Sequence, residues 1–354
     1  MVSTALLLTD PSPHLRLLVH KNLLHTPVQN SEIIELEKLC TEDPLINEII
    51  SPENIIHTQG PLSPYTKGGG NKTAGTRETG GFSSVWKAAH ILKGLVYLGY
   101  PHDHPVVQKG AAFILDRQNP SGSWSPGKHK TSDDAGAELQ LMFSAVILQG
   151  LALAGYGETP RALKGYSWLA GFRLTDGAWP AGMVEGNYRG IAGYRRLPHS
   201  RFGCRSTTTA VTAALAYHPQ LRHKEEAHKA LDHLLAVELK ESSSTGFELA
   251  RVLGFEEIRG MLTYYVRYDT AFILDLCIRT GIGTDDKRVA DIIEFLLTLR
   301  GPWGLWEYGP HPQASRWITY DILRLLSGID EETKWFSLKP EGKFRKYPGK
   351  NKRF

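Results

Sequence analysis

The chain has 354 residues, of which 41% are hydrophobic and 22% are charged, with a formal net charge of +4. This balance excludes a disordered or collagen-like chain and provides enough apolar residues for a large core. The cysteines Cys40, Cys204 and Cys277 are too widely spaced for a disulfide framework or a CxxC metal motif, so we expect a reducing, cytoplasmic environment.

Residues 1–58 are predicted to be helical. The opening run "MVSTALLL" is too short to cross a membrane and has no basic residues before it, unlike a signal peptide. Apolar residues then recur at helical spacing in "SPHLRLLVHKNLL", "SEIIELEKLC" and "DPLINEIIS". We expect these helices to join the main domain. Residues 59–82 are rich in Gly and Thr and are predicted to be a flexible loop, either a lid over a cavity or a disordered connector.

A repeated unit dominates residues 83–335, and no alternating strand pattern competes with it. Each unit begins with an apolar helix that ends at Gly, as in "LKGLVYLGY", "LQGLALAGY" and "LDLCIRTGI". A short polar or Pro-containing turn opens a second helix. That helix ends in a turn of Gly followed by an aromatic residue. The turn glycines are Gly122, Gly177, Gly246 and Gly304, at intervals of 55, 69 and 58 residues.

Such a helical hairpin cannot bury its apolar faces alone and must stack on its neighbours. Five units lie within residues 83–335, and the N-terminal helices would supply a sixth. We therefore predict an all-α fold, an α/α toroid made of about six helical hairpins. An open solenoid is the competing geometry, because repeat spacing alone does not distinguish the two.

The repeated phrase resembles the QW motif of squalene and oxidosqualene cyclases, and more broadly the α/α toroids of terpenoid cyclases and protein prenyltransferases. The first copy, "KGAAFILDRQNPSGSW", matches from Lys109 to Trp124 and includes Gln118. The second and third copies end at Trp179 and Trp306 and carry Arg at the Gln place. The resemblance covers about residues 80–330, one toroid, whereas full triterpene cyclases have two. It implies that these residues are structural, with the Gln or Arg bonding helix-end carbonyls and the Trp packing over the turn.

In toroids of this kind the N-terminal ends of the inner helices face a central cavity, and this implies where a substrate would bind. Counting back along each inner helix brings carboxylate, aromatic and thiol side chains to that end. The predicted substrate-binding residues are Trp86, Cys204, Tyr268, Asp269, Arg316 and Trp317.

The segment "TSDDAGAEL", residues 131–139, holds the candidate catalytic residues. It resembles the Asp-x-Asp-Asp-Thr-Ala motif of squalene-hopene-type cyclases, with Asp133 and Asp134 at the last two Asp places and Thr131 at the first. The resemblance implies that Asp133 protonates an alkene or epoxide, with Asp134 and Glu138 adjusting its acidity. Aromatic faces would stabilise the resulting cation.

Three other interpretations of these residues stay open. Asp133, Asp134 and Glu138 resemble a DDxxxE cluster that would bind Mg²⁺ and a diphosphate. Protein prenyltransferases hold zinc with Asp, Cys and His, but the residues around Cys204 lack that pattern, so we do not expect zinc. The simplest interpretation is that "TSDD" is a helix N-cap with an acidic first turn.

Residues 336–354 form a basic tail with seven Lys or Arg and one Glu, so the rest of the chain has a net charge of −2. The tail is predicted to make weak contact with an anionic surface at most, and no nucleic-acid-binding motif accompanies it.

The leading functional hypothesis is an enzyme that handles an isoprenoid or similar apolar small molecule by cyclisation or prenyl transfer. A carbohydrate-active lyase or hydrolase and a non-catalytic binding module are the alternatives. An aromatic, aliphatic cavity would favour the first, an open cleft the second, and a centre filled with side chains the third.

Overall fold

The computed structural model describes residues 2–43, 84–125, 133–184, 186–188, 190–239, 243–256 and 264–327. Within these ranges the side chains of residues 2, 133–139 and 184 lie outside the description. The predicted loop at 59–82, the helix expected within 43–51 and the basic tail at 336–354 also lie outside the described residues.

The regular secondary structure of the described residues is almost all helical, as predicted. Its helices are α1 (Val2–Leu8), α2 (Pro13–Asn22), α3 (Ser31–Thr41), α4 (Ser84–Tyr97), α5 (Pro105–Asp116), α6 (Asp133–Leu153), α7 (Pro160–Ala170), α8 (Arg205–Tyr217), α9 (Glu225–Leu235), α10 (Phe247–Val252), α11 (Thr270–Thr280), α12 (Lys287–Thr298) and α13 (Ser315–Ser327). A two-stranded hairpin pairs β1 (Met183–Val184) with β2 (Asn187–Tyr188) in antiparallel fashion. None of the described helices is long and apolar enough to cross a membrane.

The helices form two layers. In the inner layer α4, α6, α8, α11 and α13 pack side by side in that order. Every residue of α8 from Ser206 to Tyr217 is buried. The helices α5, α7, α9 and α12 lie outside, and each buries one face; in α9 that face includes Ala227, Leu231 and Leu234. A helix of the inner layer is expected to be buried on all sides, and a helix of the outer layer along one stripe only. The helical hairpins of the sequence prediction are confirmed.

The N-terminal helices close the ring between its last and first inner helices. Both α1 and α2 pack against α13, and the Asn22 side chain donates to the hydroxyl of Tyr320 over 2.6 Å. At the other side, the His14 ring lies 3.3 Å from the backbone carbonyl of Leu98, just after α4. The apolar run at the start of the chain is therefore helix α1 of a closed α/α toroid.

The Gly-Trp turns are identical hydrogen-bonded clasps at the ends of the outer helices. In each of the three, the indole N–H donates to a backbone carbonyl ten residues earlier, in the last turn of the outer helix. That carbonyl also accepts the backbone N–H three residues further on. The pairs are Trp124 with Ile114 at 2.8 Å, Trp179 with Leu169 at 2.8 Å, and Trp306 with Leu296 at 2.7 Å. Sequence reasoning assigned these carbonyls to the Gln or Arg, but Gln118 instead bonds the carbonyls of Gly122 and Arg161.

Each clasp also binds the next inner helix. The backbone N–H of the Trp donates to a buried hydroxyl on that helix, which fastens one hairpin to the next. The acceptors are Ser144 at 3.0 Å for Trp124, Thr208 at 2.9 Å for Trp179, and Thr319 at 2.9 Å for Trp306. The turn needs a left-handed residue, and Gly122 has φ 101 with the Lys164 carbonyl 2.7 Å from where a Cβ would lie.

The fourth turn departs from this plan. Glu248 stands where the other copies have Trp, two residues after Gly246, which keeps the positive φ of 77. Its backbone N–H donates to the Asp269 carboxylate over 2.7 Å rather than to a hydroxyl. The chain continues directly into α10, which packs against both α4 and α13 across the inside of the ring. This irregular copy brings charged side chains to the centre of the toroid.

Candidate functional site

The centre of the toroid holds a buried polar cluster, the central cluster, formed by Lys93, Gln149, Glu248, Arg251 and Tyr265. The Lys93 ammonium donates to Glu248 Oε1 over 2.9 Å and to Gln149 Oε1 over 3.3 Å. The Tyr265 hydroxyl donates to the same two oxygens, over 3.0 Å and 2.8 Å. Arg251 forms an ion pair with the other carboxylate oxygen of Glu248. One buried carboxylate thus serves two cations.

Burial changes how these groups titrate. Removal from water lowers the pKa of Lys93 well below its ordinary value, and the positive charge of Arg251 adds to the effect. Burial likewise lowers the pKa of His90, one helical turn earlier on α4, with contributions from Lys93 and Arg251. Binding of a further proton beside Arg251 is therefore unfavourable in the central cluster.

A row of aromatic rings lies beside the central cluster. It runs from Phe143 to Trp86, Tyr264, Tyr265 and Phe272, with neighbouring ring centroids 4.5 to 5.4 Å apart. The Arg251 guanidinium lies 3.4 Å from the Tyr264 ring centroid, so one of these faces already stabilises a positive charge. Tyr265 is held with φ 58, a left-handed conformation uncommon for an aromatic residue. The two hydrogen bonds of its hydroxyl keep it there.

Asp269 links α10 to α11. Its carboxylate accepts the backbone N–H groups of Gly246 and Glu248 at 3.0 and 2.7 Å. It also accepts those of Ala271 and Phe272, the first residues of α11, at 3.2 and 3.3 Å. Burial raises its pKa to about 6, against the lowering effect of these N–H groups. Asp269 is thus an N-cap whose carboxylate is occupied by the backbone.

A pocket with room for about one water molecule lies between α8, α9, α10 and α11. Three arginines line it, Arg205, Arg251 and Arg267, and we call it the arginine pocket. Its other lining residues are Thr209, Leu234, Val237, Phe247, Glu248, Tyr265, Tyr268, Asp269, Phe272 and Ile273.

The structure brings some of the predicted substrate-binding residues together and not others. Tyr268 and Asp269 both line the arginine pocket, and Trp86 belongs to the aromatic row. Cys204 is buried at the start of α8, where its Sγ accepts from Arg195 over 3.4 Å.

The two predicted residues on α13 have separate surroundings. Arg316 pairs with Asp10 at 3.4 Å, and Trp317 is buried in the apolar core. Neither is among the residues that line the arginine pocket.

The predicted catalytic residues occupy the first two turns of α6. The helix begins at Asp133. This start lies within one residue of the start that the N-cap interpretation and the inner-helix prediction both imply. The side chains of Asp133, Asp134 and Glu138 lie outside the described residues. Among the side chains that are described, no three His, Cys, Asp or Glu groups are placed to hold a metal ion.

Sequence reasoning missed the central cluster. Lys93 stands in the apolar stretch "HILKGLVYLGY" of an inner helix, and a lone charge there is a signal that it has a buried partner. Its partner Glu248 lies in the weakest copy of the repeat, where pattern matching gives least information.

No protein-family model and no curated protein matches this chain. Among solved structures it is similar to two complexes of variants of the type II terpene cyclase MstE from Scytonema. For the complex with the substrate geranylgeranyl dihydroxybenzoate, the sequence identity is 18%, and the match covers 68% of this chain and 62% of the cyclase chain with a TM-score of 0.41. With the product merosterolic acid A, the identity is 17% over 68% and 63%, with a TM-score of 0.40. The match spans less than two thirds of either cyclase chain.

Proposed function

We propose that this protein is an enzyme that binds an isoprenoid or a similar apolar chain at the N-terminal ends of the inner helices. The observation that carries the proposal is the row of five aromatic rings beside the central cluster. Aromatic faces stabilise cations, and Arg251 over Tyr264 is an instance of this within the site. The repeated clasps, which resemble those of terpenoid cyclases, support the same assignment.

In the proposed reaction Asp133 is the acid, and Asp134 and Glu138 adjust its acidity. The carboxyl proton of Asp133 is transferred to an alkene carbon of the substrate, and a ring-forming bond uses the electrons of a second alkene. A proton then leaves the final cation, so the reaction is an isomerisation without a co-substrate. Asp133 begins an inner helix whose later residue Phe143 stacks on Trp86. The acid and one ring of the aromatic row, Phe143, therefore lie on the same helix.

The proposal places the apolar chain against Trp86, Tyr268 and Asp269, which lie on the aromatic row or the arginine pocket. Roles for Cys204, Arg316 and Trp317 stay predictions from helix register. Mg²⁺ binding by the carboxylates of α6 also stays a prediction, and no step of the proposed reaction depends on it.

A non-catalytic binding module is the second candidate, and a specific observation favours it. In the described part of the toroid, the side chains of the central cluster fill the space that the inner helices surround. A carbohydrate-active site has less support. It would need an open cleft lined by polar side chains, whereas the predicted residue Arg316 pairs with Asp10.

The test is incubation of the purified chain with squalene, geranylgeraniol and geranylgeranyl diphosphate, followed by extraction and mass spectrometry. We expect a cyclised product from at least one of them. Asp133→Asn should reduce its formation by about 100-fold or more, which is the contribution of a general acid. The thermal midpoint should stay within a few degrees, since Asn also serves as an N-cap.

Asp286→Asn is the matched control, because Asp286 is the N-cap of α12 and accepts from the Arg288 N–H over 2.9 Å. It should change neither activity nor stability. Substrate bound without conversion would assign the protein to the binding-module class. Neither binding nor conversion of any isoprenoid would overturn the proposal.

A further inference from the structure

The arginine pocket has an excess of positive charge. Arg205, Arg251 and Arg267 line it, together with the carboxylates of Glu248 and Asp269. Glu248 is shared between Arg251 and Lys93, and Asp269 is occupied by backbone N–H groups. Within the described ranges neither Arg205 nor Arg267 forms an ion pair with a carboxylate. The pocket thus holds three guanidinium groups and less negative charge than they require.

Two donors in the pocket have no acceptor. The Nε–H groups of Arg205 and Arg251 are buried, and among the described residues neither has a hydrogen-bond partner. Arg251 is only 5% exposed, so solvent does not satisfy its Nε–H. A buried donor without an acceptor is unfavourable in free energy, and more so when it is charged. A ligand that accepts from these groups would recover that free energy.

The guanidinium groups are also held in position. The Phe247 ring contacts two of them, with its centroid 4.5 Å from Arg267 Cζ and 5.2 Å from Arg251 Cζ. Arg205 donates to the Val266 carbonyl at 3.5 Å, just before Arg267. Like charges gathered around one aromatic ring repel each other unless an anion lies between them.

We propose that the arginine pocket is a binding site for an oxyanion, a phosphate or carboxylate group, that accepts from Arg205 and Arg251 while Arg267 contacts it from the exposed side. The interior has room for about one water molecule, so one oxygen of the group enters and the rest lies at the opening. The apolar walls, which include Leu234, Val237 and Ile273, suit a group attached to an apolar chain. The site does not depend on the proposed cyclisation, because the residues of α6 take no part in it.

Titration calorimetry at low ionic strength tests the proposal with two probes, inorganic phosphate and octyl phosphate. We expect one saturable site, with an affinity that falls as salt is added. Octyl phosphate binding more tightly would identify the natural ligand as an amphiphile, whereas equal affinities would identify a free oxyanion. Either result supports the site, and neither requires turnover of an isoprenoid.

The variant Arg267→Gln should weaken binding of both probes by about tenfold or more, since it removes one charge-assisted contact. Arg205→Gln should do the same. Arg267 is exposed, so its replacement leaves the core intact. The matched control is Arg201→Gln, another exposed arginine that stacks on a phenylalanine, 5.0 Å from the Phe202 ring centroid. No saturable binding of either probe, or equal weakening by Arg201→Gln, would overturn the proposal.

Discussion

The Lys93 ammonium lies 2.9 Å from the Glu248 carboxylate at the centre of the toroid, although 155 residues separate the two in sequence. Both side chains are fully buried, at 1% and 4% exposure. The pair joins α4 of the first hairpin to α10, the helix that departs from the repeat. The two partners are not equivalent, because Glu248 also forms an ion pair with Arg251.

Because Glu248 pairs with two cations, replacing it should cost more stability than replacing Lys93. Glu248→Gln should lower the free energy of unfolding by about 3–5 kcal/mol, because it leaves two buried cations without a carboxylate. Lys93→Met should change it by only about 1 kcal/mol, because Glu248 keeps Arg251 and Tyr265 as partners. Urea denaturation of both variants measures the difference. Equal losses would show that Glu248 does not serve two cations.

His90 makes the stability of the toroid depend on pH. Its pKa in the folded state lies well below the ordinary 6.5, first because of burial and then because of Lys93 and Arg251. In the unfolded chain the same ring takes up a proton below pH 6.5, so acid favours unfolding. The contribution of His90 is complete above pH 6.5 and is lost as the pH falls. The loss sets in below about pH 6.5 and continues until the pH reaches the lower pKa of the folded state.

The comparison is with His90→Phe, which keeps an aromatic ring against Trp86 and Tyr264 but cannot bind a proton. The wild-type chain should lose more stability than this variant as the pH falls below 6.5. His223→Phe, at an exposed position, should follow the wild-type curve. Parallel curves for the wild type and His90→Phe would mean that His90 is not kept neutral by burial.

The clasps predict that the indole N–H of each Trp contributes to the stability of the fold. Trp306→Phe removes the indole donor from the Leu296 carbonyl, which keeps only its bond from the Leu299 N–H. We expect a loss of about 1 kcal/mol in the free energy of unfolding. Trp179→Phe should behave alike, because its indole makes the same bond to Leu169. Trp303 is 62% exposed, and Trp303→Phe should change stability by less than about 0.5 kcal/mol. A loss at Trp303 as large as at Trp306 would show that the indole bond is not the cause.

The architecture could be predicted from the sequence because the repeat is local and periodic. Turn glycines and Trp residues recur at fixed distances from apolar helices, and each clasp depends only on residues within one or two hairpins. N-caps are equally local, since Asp286, in the polar turn "GTDDK", caps α12 by accepting the Arg288 N–H.

The centre could not be predicted in this way, because its contacts are non-local and depend on the copy that breaks the pattern. Glu248 occupies a Trp position and its partner Lys93 is in another hairpin. Nothing in the spacing pairs the two. Asp269 shows the same limit. Its register predicted a cavity residue, and it lines the arginine pocket, but nothing in the sequence indicated that its carboxylate accepts four backbone N–H groups.

Closure of the ring by α1 and α2 has a consequence for biosynthesis. Asn22 and Tyr320 are 298 residues apart, and a ribosome adds residues at about 5–20 per second, so roughly 15–60 s pass between their translation. During that interval the faces of α1 and α2 that will meet α13 have no partner. The polypeptide must therefore keep its first helices from aggregating until nearly all of the toroid has emerged. Formation of this long-range junction is expected to be the slow, late event in folding.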